Sequence, residues 1–237
     1  MQIIGHRGAC GYEPENTLAS FKKALKLGVD MVELDVYVLA SGELVVMHDD
    51  KIDRTTNGTG YIESFTYAEL IELNAGKGER IPLLREVLDI VQRKIPVNIE
   101  LKGKGTAQAV AGLVREYVME LGWTTNDFYV SSFELDELRQ FIQLMPDVRT
   151  SALYEGEAPD FIAFAQEYGT YSANFDAESI GPEMVKQAHA EGVRVFAYTV
   201  NDRSEARRLY KLRVDGIFSD YPDTVLPRRV QLLRALR

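Results

Sequence analysis

The sequence predicts a closed (β/α)8 barrel. Two observations predict it: short β-branched runs alternate with amphipathic helical stretches eight times, and they do so within 237 residues, a length that leaves little besides these units. An open doubly wound sheet is the competing arrangement, because periodicity alone does not show closure. The first strand is "QIIG" (2–5). In the helix that follows, Leu18, Phe21 and Leu25 fall at i, i+3 and i+7, with Asn16 or Thr17 as N-cap and Gly28 as the stop. The second strand, "MVELDVYV" (31–38), alternates strictly. An extra short strand, "ELVVMH" (43–48), then breaks the rhythm. The segment 49–82 is Gly-rich and turn-rich with one short helix near 66–72, and a connection of that length points to function or to a small inserted subdomain. After it the alternation resumes. Strands are expected at 97–101, 127–132, 148–153, 170–175, 193–200 and 215–219. Helices are expected near 83–93, 106–121, 134–144, 158–168, 180–191, 202–211 and 222–236. No linker, repeat or low-complexity tract divides the chain, so residues 1–237 are expected to form one domain with an insertion at about 49–82.

Composition narrows the function. Hydrophobic residues make up 46% and charged residues 27%, enough for an ordinary core. Lys and Arg total 27 against 36 Asp and Glu, a net charge of −9, so the basic footprint of a nucleic-acid binder is missing. An anionic substrate would need a local cationic device. No apolar run reaches the roughly 18 residues of a membrane span, and stable membrane insertion is not expected. The N-terminal segment lacks a basic and apolar leader pattern, and the lone Cys10 has no internal disulfide partner. Both features suit a cytoplasmic protein.

The chemistry starts with carboxylates on a face that should be apolar. In "MVELDVYV" the period of two places Val32, Leu34 and Val36 on one face and Glu33 with Asp35 on the other. "VNIELK" likewise sets Ile99 and Leu101 against Asn98, Glu100 and Lys102. Barrel strands are normally apolar on both faces. A solvated antiparallel face, or a buried Lys102–Glu100 ion pair, would be the plain structural explanation. Three carboxylates converging from two strands are costly without a cation among them, and an all-oxygen donor set favours Mg²⁺ or Ca²⁺ over zinc. Of three histidines, His6 and His48 end strand segments beside this cluster, which suggests a general acid–base pair. A lone strand-end histidine is commonly structural; a pair beside an acidic cluster is less easily so. His189 sits on a helix and reads as a surface residue.

The segments "GHRGACGYEPENT", "VELDV", "VVMHDDKIDRTTNGTG", "NIELK", "SSF", "YTVND" and "GIFSDYP" occur in this order along the chain. Their combination resembles the bacterial glycerophosphodiester phosphodiesterases over essentially the whole sequence. The resemblance implies a (β/α)8 barrel with a small insertion after the second strand. It also implies a metal-dependent hydrolase that splits small glycerophosphodiesters, such as glycerophosphocholine or glycerophosphoethanolamine, into an alcohol and sn-glycerol 3-phosphate. One Ca²⁺ or Mg²⁺ would be held by Glu33, Asp35 and Glu100. His6 and His48 would be the acid–base pair, and Arg7 and Lys102 would neutralise phosphate oxygens. Phe133 and Tyr198 would wall the glycerol side, Tyr198 standing where many relatives have tryptophan; either ring could equally be core packing. Gly5 and Gly8 would let the backbone turn beside the phosphate, or serve the turn alone. The family chemistry needs no thiol, which leaves Cys10 as a small residue at its position. Lysophospholipase D or sphingomyelinase D-like activity, and a non-catalytic barrel that binds phosphate esters, are the competing readings.

Overall fold

The computed structural model describes residues 1–156 and 158–225. Its parallel strands are β1 (Gln2–Gly5), β2 (Met31–Val38), β4 (Val97–Leu101), β5 (Phe128–Ser132), β6 (Arg149–Tyr154), β7 (Ser172–Asp176), β8 (Arg194–Tyr198) and β9 (Gly216–Ser219). Each pairs with the next in that order, and β1 closes the ring by pairing with both β9 (Ile4↔Phe218) and β2 (Ile4↔Met31). The sheet is therefore a closed eight-stranded barrel rather than an open sheet. Helices α1 (Leu18–Leu27), α3 (Leu84–Val91), α4 (Thr106–Glu120), α5 (Leu135–Leu144), α6 (Phe161–Tyr168), α7 (Pro182–Ala190) and α8 (Arg203–Lys211) fill the crossovers. The helix expected at 222–236 lies outside the described residues from 226 onward.

Local chemistry sets the boundaries. Thr17, not Asn16, caps α1: its side chain accepts from the Ser20 amide, and Gly28 ends the helix at φ 73°. Pro182 occupies the first turn of α7, where its missing N–H costs nothing, so the helix starts two residues later than expected. Asp202 caps α8 through the Ser204 and Glu205 amides.

The period-two reading of the strands holds. Val32, Leu34, Val36, Ile99 and Leu101 point outward into one core with Phe21 and Ala24 of α1, Leu88 and Val91 of α3, and Val110 and Val114 of α4. Inside the barrel, Ile4, Met31, Tyr129, Phe196 and Phe218 pack together. Asn98, Ser131, Ser151, Ser172 and Asn174 are also buried, joined by bonds such as Asn98 Nδ2 to Ser131 Oγ (3.0 Å) and Ser172 Oγ to Asn174 Oδ1 (2.8 Å).

β2 outruns its barrel neighbour β1, and its last residues pair antiparallel with the short β3 (Leu44–Val46). That reversal brings the chain back so that residue 48 ends beside the strand ends. The following segment, with α2 (Tyr67–Leu70), has its own apolar centre of Leu39, Val45, Met47, Ile52, Ile62, Leu70, Ala75 and Ile81.

Gly8 shows how tightly the first turn sits on α1. It has φ +88°, and a Cβ there would lie 2.4 Å from Ser20 Oγ and 2.6 Å from the Ser20 backbone. A Cβ on Gly5 would meet the Gly8 carbonyl oxygen at 2.4 Å. These glycines answer to packing within the turn. Gly8→Ala is expected to destabilise the fold by about 2 kcal/mol or more, from left-handed strain plus the clash, read as a lowered denaturation midpoint. An unchanged midpoint would contradict this packing.

Candidate active site

In a parallel barrel the residues at the C-terminal strand ends face a common mouth. Here that mouth holds a cavity of about 350 Å³ lined by His6, Arg7, Glu33, His48, Asn98, Glu100, Ser131, Phe133, Leu153, Glu155, Tyr198, Thr199 and Phe218. Seven of the nine candidate site residues line it, and the other two, Asp35 and Lys102, contact Arg7 and Glu100 of that lining.

The carboxylates converge. Glu33, Asp35 and Glu100 are buried, and each offers an oxygen within 4.8 Å of the others. Burial pushes Glu33 well above the usual carboxylate range, with Asp35 and Glu100 adding to the effect. Glu100 is pushed up to about 7 by burial and then by Asp35. Asp35 goes the other way: burial opposes its charge, but Lys102, Arg7 and His48 together outweigh that and hold it below its ordinary value. Asn16 Nδ2 donates to Asp35 Oδ2 at 2.8 Å, whereas Asp35 Oδ1 is buried with no hydrogen bond, and its nearest cation, Lys102 Nζ, is 3.6 Å away. An orphaned carboxylate oxygen among two further acid groups is the donor set of a hard divalent cation. The residues present fit such an ion.

The two expected cationic residues are tied into the same cluster. Lys102 Nζ bonds Glu100 Oε1 at 2.7 Å, so the plain ion pair is present too. Arg7, at φ +50°, gives its backbone N–H to Glu33 Oε2 (2.8 Å) and Nη1 to Glu15 Oε1 (2.8 Å), with Nε 3.5 Å from Asp35 Oδ2. That conformation turns one residue toward the carboxylates through both its main chain and its side chain.

His6 and His48 are each held through Nδ1 by an aspartate that the sequence reading missed. His48 Nδ1 lies 2.6 Å from Asp49 Oδ1, and hydrogen bonds from Arg54 hold Asp49 far below the usual carboxylate range. His6 Nδ1 lies 2.6 Å from Asp220 Oδ1; burial opposes charge on Asp220, but the bonds from His6 and Cys10 pull it down to about 2. Both aspartates are ionised acceptors, so both imidazoles carry their proton on Nδ1 and leave Nε2 for other chemistry. Burial also disfavours the charged form of His48 and lowers its pKa. Asp220 directly follows β9, the strand that closes the barrel on β1, and its position at a strand end was the available signal. Asn201 Nδ2 braces Asp220 Oδ2 at 2.6 Å.

Cys10 donates its thiol to Asp220 Oδ1 at 2.9 Å, and burial with that bond pushes its pKa up. It is thus a protonated neighbour of His6, not an activated nucleophile. Phe133 and Tyr198 meet edge to face at 5.9 Å, and the Tyr198 hydroxyl donates to the Tyr154 carbonyl at 2.6 Å. His189 is exposed on α7, as the sequence reading has it, and its Nε2 lies 2.9 Å from Asp215 Oδ2.

Fold and site together define a (β/α)8-barrel enzyme with its polar centre at the C-terminal mouth. The chain belongs to the glycerophosphoryl diester phosphodiesterase family, whose sequence profile matches residues 6–224. A glycerophosphodiester phosphodiesterase from Caldanaerobacter subterraneus is 36% identical over 237 residues, covering 94% of this chain and 96% of the relative. One from Bacillus subtilis is 32% identical, covering 93% and 83%. Among solved structures, a phosphodiesterase from Oleispira antarctica in complex with the product sn-glycerol-3-phosphate superposes with a TM-score of 0.88 at 30% identity, covering 98% of this chain and 96% of the other. Among the described residues, no helix is long and apolar enough to cross a membrane.

Proposed function

We propose that this chain hydrolyses small glycerophosphodiesters, glycerophosphocholine and glycerophosphoethanolamine among them, to an alcohol and sn-glycerol 3-phosphate. The observation that carries the reading is the convergence, on one cavity, of three buried carboxylates with two aspartate-held imidazoles. The product bound to the Oleispira antarctica relative supports the substrate class. Glu33, Asp35 and Glu100 would hold one divalent cation, Mg²⁺ or Ca²⁺, which when bound supplies charge stabilisation at the phosphoryl oxygens. Arg7 and Lys102 are the further cations beside that position, the local device a chain of net charge −9 requires. Phe133 and Tyr198 wall the same cavity.

His48, whose charged form burial disfavours, accepts the proton of the substrate's glycerol 2-hydroxyl through Nε2. The hydroxyl oxygen attacks phosphorus, the bond from phosphorus to the leaving alcohol breaks, and His6 gives that alcohol its proton. Water then opens the cyclic phosphate with the two histidines in exchanged roles. The intramolecular attack carries an effective concentration on the order of 10⁵ M or more when well oriented.

A substrate panel tests the reading. Glycerophosphodiesters should release glycerol 3-phosphate only from the metal-restored protein. Preferential turnover of lysophospholipids would overturn the substrate class, and release by metal-free protein would overturn the metal. A glycerophosphocholine analogue with hydrogen in place of the 2-hydroxyl should bind but barely react; normal turnover of that analogue would exclude the cyclic route.

A further inference from the structure

The segment between β3 and α3 brings one side chain, Arg54, against two carboxylates beside the site. Arg54 uses both bidentate edges of its guanidinium. Nε and Nη2 donate to Asp49 Oδ2 and Oδ1 at 2.6 and 3.0 Å, while Nη1 and Nη2 donate to Glu15 Oε2 and Oε1, both at 2.7 Å. Asp49 is the acceptor of His48 Nδ1, and Glu15 is the acceptor of Arg7 Nη1. A continuous chain therefore runs from His48 through Asp49, Arg54, Glu15 and Arg7 to Asp35.

We infer that Arg54 is a positioning residue: it fixes the two carboxylates that orient His48 and Arg7, and so sets the distance between the imidazole and the cationic side of the cavity. The inference rests on the proposed acid–base role of His48. Three features of the structure carry it. Asp49 and Glu15 come from different parts of the fold, the reversal after β3 and the loop before α1, and among the described residues Arg54 is the side chain that bonds both. The planar fork matches two carboxylates at once, which the point charge of a lysine cannot do. Arg54 is also about half exposed, so solvent screens these ion pairs and their share of folding stability is modest even though both are bidentate. A bidentate clamp at such a place acts on geometry far more than on stability.

Arg54→Ala should therefore leave the melting temperature within about 3 °C of wild type. It should lower kcat roughly ten- to a hundredfold, the scale of a catalytic group displaced by about an ångström, with a smaller change in KM. Arg54→Lys should recover only part of the loss, while added guanidinium at millimolar concentration, unlike the same concentration of sodium chloride, should restore Arg54→Ala several-fold. Asp49→Asn and Arg54→Ala should not multiply, because they act on the same imidazole.

A readout that needs no turnover separates this inference from the function it rests on. In the ¹H NMR spectrum of the wild type, the His48 Nδ1–H held by Asp49 should give a downfield resonance, assigned by its loss in His48→Ala. Arg54→Ala should broaden or shift that resonance. Wild type without phosphodiesterase activity would overturn the proposed function, and the NMR comparison would still decide whether Arg54 holds His48. An unchanged His48 resonance, or unchanged kcat with both proteins folded, would overturn the positioning role. So would a kcat loss that merely follows the loss of folded protein.

Discussion

Asp35→Asn is expected to lower kcat/KM by about a thousandfold or more while the fold survives. A cation that stabilises phosphoryl charge is worth several kcal/mol in the transition state, and each roughly 1.4 kcal/mol is a factor of ten. Asp35 is the central carboxylate of the cluster: its charge raises the pKa of both Glu33 and Glu100, and its Oδ1 is buried without a hydrogen bond. Removing that charge relieves repulsion within a group of three acids, and Lys102 keeps Glu100 while Arg7 keeps Glu15. If the cluster were only a structural ion-pair network, the same substitution would instead cost stability and leave turnover per folded molecule near normal. Measuring melting temperature, bound metal and kcat/KM on one preparation separates the two. Full activity of Asp35→Asn, or of exhaustively chelated wild type, would remove the metal from the reading.

The same cluster sets a pH dependence of the metal-free chain. Glu100 titrates at about 7 in the folded protein against 4.5 as an ordinary carboxylate, and Glu33 is displaced in the same direction. The folded chain thus binds protons that the unfolded chain has released, so stability falls as pH rises from about 4.5 to about 7. Binding of a divalent cation to the three carboxylates must expel those protons, and its affinity should rise over the same interval.

How much of this was legible in the sequence follows from how local each signal is. The strand alternation that sets Glu33 and Asp35 against Val32, Leu34 and Val36 depends only on the backbone period, and it held in the barrel. Closure depended on β1 meeting β9, a pairing across more than 200 residues that no periodicity carries. The same distance hid Asp220 from His6, although each ends a strand that the sequence marks. Asp49 was missed for another reason: adjacent to His48, it read as part of a turn-rich run, and only its bond to Nδ1 shows its role. By type, Asn16 and Thr17 both suit the helix cap; Thr17 takes that place and Asn16 serves Asp35. Residue type predicted polar bonding at each of these positions; the partner came from tertiary packing.

His48→Ala and His6→Ala are each expected to lose roughly 10²- to 10⁴-fold in kcat, the usual contribution of a positioned general acid or base. The two should part company when the leaving group changes. A glycerophosphodiester of p-nitrophenol releases a phenolate that needs little proton donation, so the loss in His6→Ala should shrink markedly on that substrate. The loss in His48→Ala should persist, because the attacking hydroxyl must still be deprotonated. Asp220→Asn should follow His6→Ala in this pattern at smaller size, since an amide in place of the Asp220 carboxylate no longer fixes the proton on His6 Nδ1. Both imidazoles lie at the mouth rather than in the apolar core, so the melting temperatures of the variants should stay close to wild type. Equal losses on both substrates for His6→Ala would deny it the role of acid in the first step. The reverse pattern, with His48→Ala spared by the good leaving group, would exchange the two assignments and leave the site itself intact.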